Sequence, residues 1–64
     1  MPLIRFIVEL YNVGIHVYYM NGIFYFKKIE PNSKIVTLKI SELNEYMHYL
    51  SIGEIVTMIE NRLQ

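Results

Sequence analysis

Cysteine is absent from this 64-residue sequence, and its absence excludes several kinds of chemistry. Without thiols the chain forms no disulfide framework, no thiolate metal site and no cysteine nucleophile. Small domains that lack such covalent or metal staples often gain stability by oligomerising. The composition therefore directs attention to interfaces between chains.

Long apolar runs are absent as well. The apolar stretch over residues 3–10 is interrupted by Arg5 and Glu9, and it has neither a basic leader nor a small-residue cleavage site. No run approaches the roughly 20 apolar residues that a membrane-spanning helix needs. We therefore expect a cytoplasmic protein with no membrane partner.

Residue types that commonly carry catalysis are sparse. His16 and His48 are the only histidines, and neither lies in an H-x-E or H-x₃-H pattern. The serines, Ser33, Ser41 and Ser51, occupy turn-like or cap-like positions, and the three scattered glycines form no phosphate-binding loop. We expect no metal, no cofactor and no enzymatic activity.

The chain is short but rich in apolar residues. Sixty-four residues form one domain, residues 1–64, whose core is marginal because so short a chain buries only about 60% of its unfolded surface. An apolar fraction of 53% exceeds what such a core needs. The simplest explanation is a homodimer interface; the alternative is a domain that exposes more apolar area than usual.

The zero net charge hides an asymmetry between the two ends. Residues 1–40 hold five Lys or Arg against two Glu, a net of +3, and residues 41–64 hold one Arg against four Glu, a net of −3. A basic half can bind polyanions, and it can equally be ordinary solvated charge.

A β-hairpin at Asn21-Gly22 is the strongest structural signal. Both residues accept the positive φ of a type I′ turn, and β-branched and aromatic residues flank them. With this dipeptide as the loop, Tyr19 lies opposite Phe24 and Tyr18 lies opposite Tyr25.

Alternating patterns predict two further strands, one on each side of this hairpin. Residues 3–11 alternate as a strand that turns at Asn12-Val13, and residues 34–40 alternate as a last strand with Val36, Leu38 and Ile40 inward. The result is a four-stranded antiparallel meander over residues 3–40, in the order 1-2-3-4. Its expected core face carries Ile4, Phe6, Val8, Leu10, Ile15, Val17, Tyr19, Phe24 and Phe26. The first strand has little protection along its edge and is open to pairing.

The C-terminal part, residues 42–63, reads as helical. Ser41 is a plausible N-cap with Glu42 in the first turn, and Ser51 and Glu54 form a capping-box pattern that begins a second helix. Two apolar stripes are expected to pack on one face of the sheet. The predicted fold class is α+β.

The opposite sheet face is the candidate binding surface, because aromatic and cationic residues interleave on it. It comprises Arg5, Ile7, His16, Tyr18, Met20, Ile23, Tyr25 and Lys27. Tyr, Met and Arg are enriched at protein interfaces, which favours a non-catalytic protein-binding module. The expected homodimer forms through this face or through the edge of the first strand. Size and composition suit an accessory or inhibitory protein of a virus or mobile element.

Single-stranded nucleic-acid binding is the alternative. Bases stack on aromatic rings and cations contact phosphates on such faces, which would here involve Arg5, His16, Tyr18, Tyr25, Lys27 and Lys39. The zero net charge argues against it, because phosphate contacts dominate affinity for nucleic acids.

Overall fold

A computed structural model describes residues 3–64 of the chain. The elements in order are α1 (Leu3–Asn12), β1 (Ile15–Met20), β2 (Ile23–Lys28), β3 (Ile35–Lys39), α2 (Ile40–Tyr49) and α3 (Ile52–Arg62). The strands form one antiparallel sheet in the order β1-β2-β3. The α+β class is confirmed, but the four-stranded meander with two helices is wrong: the described chain has three strands and three helices.

The difference lies at α1, where a strand was predicted over residues 3–11. Phe6 and Leu10 are fully buried, whereas Ile4 is 77% exposed and Val8 is 49% exposed. A strand would have buried all four on one face, but a helix separates them, because residues four apart share a face and residues two apart do not. The predicted hairpin at Asn12-Val13 is therefore also wrong. The helix instead ends at Asn12, and Gly14 follows it with a left-handed φ of 78°, which is typical of a residue just after a helix.

The central hairpin is confirmed in its turn and register. Asn21 and Gly22 have φ angles of 53° and 79°, as a type I′ turn requires. Tyr19 lies opposite Phe24 and Tyr18 lies opposite Tyr25. The local turn chemistry thus fixes the pairing of β1 with β2.

The last strand, β3, pairs with β2 and directs Val36 and Leu38 to the core side, as predicted. Leu38 lies opposite Phe24 and Val36 lies opposite Phe26, so their side chains share a sheet face. Ile40, which was predicted to end this strand in the core, instead begins α2 and is 44% exposed.

The two C-terminal helices are separate, and only one of their predicted caps is correct. At α2, Lys39 rather than Ser41 precedes the helix, and its backbone N–H donates to Glu42 Oε1 at 2.8 Å. At α3 the predicted capping box is confirmed. The Ser51 N–H donates to Glu54 Oε1 at 2.9 Å, and the Glu54 N–H donates to Ser51 Oγ at 3.2 Å.

The core lies between the helices and one face of the sheet, which we call the inner face. Phe6 of α1 meets Phe26 of β2 there, and Ile55 and Ile59 of α3 join the same cluster. The buried apolar residues are Phe6, Leu10, Ile15, Phe24, Phe26, Leu38, Leu43, Ile55, Val56, Ile59 and Leu63. Tyr19 was also expected in the core, but it is 55% exposed and lies against Phe24.

Candidate interaction surface

The side of the sheet opposite the core presents a regular array of nine side chains, which we call the outer face. The pairing register arranges them in three rows across β1, β2 and β3. The rows are His16-Lys27-Ile35, Tyr18-Tyr25-Thr37 and Met20-Ile23-Lys39. Because side chains alternate along each strand, the inner and outer faces follow directly from the register.

Large apolar side chains are exposed on the outer face. Tyr18 is 55% exposed, Met20 is 59% exposed and Ile35 is 61% exposed. Together with Tyr25 and Lys27 they line a shallow depression of about 300 Å³. An exposed apolar cluster with polar groups at its margin is typical of a surface that contacts another molecule.

The charges of the outer face all have one sign. Lys27 and Lys39 stand in different rows, and none of the nine residues is acidic. Aromatic rings and ammonium groups support apolar packing, cation–π contacts and ion pairs with carboxylates or phosphates. The side chains of this surface can therefore make noncovalent contacts of all three kinds.

The structure brings together six of the eight residues predicted for the binding surface: His16, Tyr18, Met20, Ile23, Tyr25 and Lys27. Arg5 and Ile7 lie instead on α1, and Arg5 Nε is 3.7 Å from Glu9 Oε2 in the adjacent helical turn.

Ile35 and Thr37 also belong to this surface, although neither was predicted for it. The alternation of residues 35–39 carried the signal, because Val36 and Leu38 were correctly placed inward and their neighbours must then point outward.

His16 makes a contact beyond the sheet. Its ring lies 5.3 Å from the ring of Tyr11, a residue of α1 near the start of β1. Because α1 packs on the inner face, Tyr11 reaches His16 around the side of β1. The hairpin predicted at Asn12-Val13 would have set Glu9 opposite His16 on neighbouring strands, but Glu9 belongs to α1.

The polar groups elsewhere serve the helices. A wide depression lies along α3, where Ser51 and Glu54 form the capping box and Thr57 Oγ1 donates to the Gly53 carbonyl at 2.9 Å. The Ser51 backbone N–H and hydroxyl lower the pKa of Glu54 below its ordinary value. Ser51 and Glu54 therefore stabilise the N-terminus of α3, and their contacts indicate no catalytic role.

The burial and grouping of polar side chains in residues 3–64 bear on other kinds of site. No buried side chain there is polar or charged, and no three His, Cys, Asp or Glu residues come close enough to hold a metal ion. Within the same residues, no helix is both long and apolar enough to cross a bilayer.

Comparison of the chain with protein-family models, with curated proteins and with solved structures found no match.

Proposed function

We propose that this chain is a small, non-catalytic protein-binding module that acts as a homodimer and recognises its partner through the outer face. The observation that supports the proposal most directly is the cluster of Tyr18, Met20, Tyr25 and Ile35 on one face of the sheet. Tyrosine and methionine give large apolar contact areas, and both are enriched at protein interfaces. Lys27 and Lys39 favour a partner with an acidic rim.

The proposal includes a cellular context. Small secreted domains are usually rich in disulfides, whereas this chain has no cysteine, which favours the cytoplasm. Its size and composition suit an accessory or inhibitory protein of the kind that viruses and mobile elements encode.

Photo-crosslinking tests the recognition surface. Benzoylphenylalanine at Thr37, an exposed position in the middle row, is expected to crosslink a partner protein from native lysate. The matched control replaces Tyr49, which is 79% exposed on α2 and lies outside the sheet. Equal products from both positions, or none from position 37, would contradict recognition through the outer face.

The competing function is single-stranded nucleic-acid binding, for which Tyr18 and Tyr25 would stack bases. The outer face keeps these two rings, but Arg5 is not on it, and no more than two lysines are. A labelled oligonucleotide titrated at low and at high salt separates the two functions. Binding that falls steeply with salt and is lost in Tyr25→Ala, but kept in Tyr49→Ala, would favour nucleic acid.

A further inference from the structure

In the sheet formed by residues 3–64, β1 is an edge strand, and one of its sides has no neighbouring strand. The Gly14 carbonyl accepts a hydrogen bond from the Ile29 N–H at 3.3 Å, so Gly14 and Ile29 form a hydrogen-bonded pair between the two strands. Since such pairs alternate along antiparallel strands, Ile15, Val17 and Tyr19 direct their N–H and C=O groups to the open side.

The open edge of β1 lacks the features that usually prevent strand pairing. Its sequence, IHVYYM, contains no lysine, glutamate or proline. The opposite edge, β3, ends in Lys39, whose N–H already donates to Glu42. Of the two edges of the described sheet, β1 is therefore the one prepared to accept another strand.

An apolar stripe on α1 lies on the same side of the molecule. Ile4, Val8 and Tyr11 follow helical spacing and are 77%, 49% and 54% exposed. The contact of Tyr11 with His16 places the Tyr11 end of this stripe beside β1. A chain that pairs with the β1 edge would therefore lie next to Tyr11.

We propose that a second copy of this chain occupies this surface, with the two β1 strands antiparallel about a two-fold axis at Tyr18. This inference rests on the homodimer of the proposed function and names its interface. Residues 18–20 are more than half exposed on both faces of the strand, whereas Tyr11 covers the neighbourhood of His16. The exposed half of β1 is therefore the part that pairs.

The register follows from the backbone groups. Tyr18 then lies opposite Tyr18 of the second copy. Val17 of each copy lies opposite Tyr19 of the other, and these two residues exchange both of their backbone hydrogen bonds. Residues of equal parity then oppose each other, so inner faces join inner faces and outer faces join outer faces. The product is a six-stranded sheet, β3-β2-β1-β1-β2-β3.

Area and charge both suit a second copy. Tyr11, Tyr18 and Tyr19 are 54%, 55% and 55% exposed. A full aromatic side chain has about 150–250 Å² of surface, so these three tyrosines together expose roughly 250–400 Å². Ile4, Val8 and Met20 add further area toward the about 800 Å² per partner of a standard interface. Because β1 carries no Lys, Arg, Asp or Glu, the two-fold axis brings no like charges together.

The proposed dimer also enlarges the recognition surface. The outer faces of the two copies become one surface with Tyr18 and Tyr25 of each chain near its centre. A partner with a repeated or extended apolar epitope would contact both copies.

Single cysteines test the arrangement without background, because the natural chain has none. Opposed residues of a non-hydrogen-bonded pair have Cα atoms about 4.5 Å apart, which suits a disulfide. Tyr18→Cys is expected to form a covalent dimer under mild oxidation. Thr37→Cys, in the same row but on β3, lies about five strand spacings (~24 Å) from its counterpart and is expected to stay uncrosslinked. Absence of the Tyr18→Cys crosslink, or equal crosslinking of both variants, would overturn the arrangement.

A second test removes one backbone N–H donor and leaves every side chain in place. Chemical synthesis can place an N-methyl group on the Tyr19 amide or, as the matched control, on the Thr37 amide, which points outward from β3. We expect the first chain to sediment as a folded monomer and the second as a dimer, with circular dichroism reporting folding. A dimer with N-methyl-Tyr19 would overturn the proposal.

A wild-type chain that is monomeric at high concentration would overturn the homodimer together with this interface. Recognition of a partner through the outer face would still be decided by photo-crosslinking at position 37.

Discussion

The rings of Phe6 and Phe26 meet edge to face, with centroids 6.0 Å apart and planes at 73°. This contact joins α1, the first helix, to the central strand of the sheet. Both side chains are fully buried, so the pair ties the N-terminal segment to the core.

Phe6→Ala is expected to abolish cooperative folding. Truncation of a buried phenylalanine costs about 3–5 kcal/mol, comparable with the whole stability of a small domain. Val8→Ala is the matched control, since Val8 is 49% exposed on the same helix, and it should change the free energy of unfolding by no more than about 0.5 kcal/mol. Urea denaturation of dilute, monomeric protein measures both. Equal losses for the two variants would restore the strand interpretation of residues 3–11.

The strand interpretation failed because residues 3–11 are apolar at almost every position. Alternation selects Ile4, Phe6, Val8 and Leu10, whereas helical spacing selects Leu3, Phe6, Ile7 and Leu10. Both patterns are present, so packing against the sheet decides between them. Only the helix buries Phe6 and Leu10 while leaving Ile4 and Val8 outside.

The features that were predicted correctly depend on local chemistry. Asn21-Gly22 defines a turn whose register then assigns the residues of β1 and β2 to their faces. This explains why Tyr18 and Tyr25 were placed together although the strand beside them was wrong. The loss of Arg5 and Ile7 from the site follows directly from the error at α1.

Alanine substitutions at two glycines, one in the hairpin turn and one in α3, are expected to change stability in opposite directions. Gly22→Ala should lower the free energy of unfolding by roughly 1–2 kcal/mol, because Gly22 has a φ of 79° and an L side chain is strained there. Gly53→Ala should raise it by about 0.5–1 kcal/mol, because Gly53 lies within α3 and an added Cβ would come no closer than 4.0 Å to Ser51 Oγ. Chemical denaturation of both variants measures the two signs. A neutral Gly22→Ala would contradict the left-handed turn.

Alanine substitutions at two serines distinguish the N-cap residue Ser51 from Ser41, which was predicted to be an N-cap but lies inside α2. Ser51→Ala should cost about 0.5–2 kcal/mol, because Ser51 Oγ accepts the Glu54 N–H at the start of α3. Ser41→Ala should stay within about 0.5 kcal/mol, because Ser41 is an exposed residue inside α2. Thermal unfolding compares them at matched concentration. A larger loss for Ser41→Ala would place the start of α2 two residues later than described.

The same capping box predicts how stability depends on pH. Hydrogen bonds from the Ser51 backbone N–H and side chain lower the pKa of Glu54 from its ordinary value of 4.5. The pKa of the Glu54 carboxyl is lower in the folded state than in the unfolded state. Its stabilising contribution is therefore complete above the unfolded pKa and is lost as the pH falls through the lower folded pKa. Glu54→Gln keeps an oxygen acceptor but does not titrate. The difference in unfolding free energy between the natural chain and Glu54→Gln should therefore be constant near neutral pH and shrink in acid. A difference that grows on acidification would mean that the carboxylate is not the acceptor at this helix start.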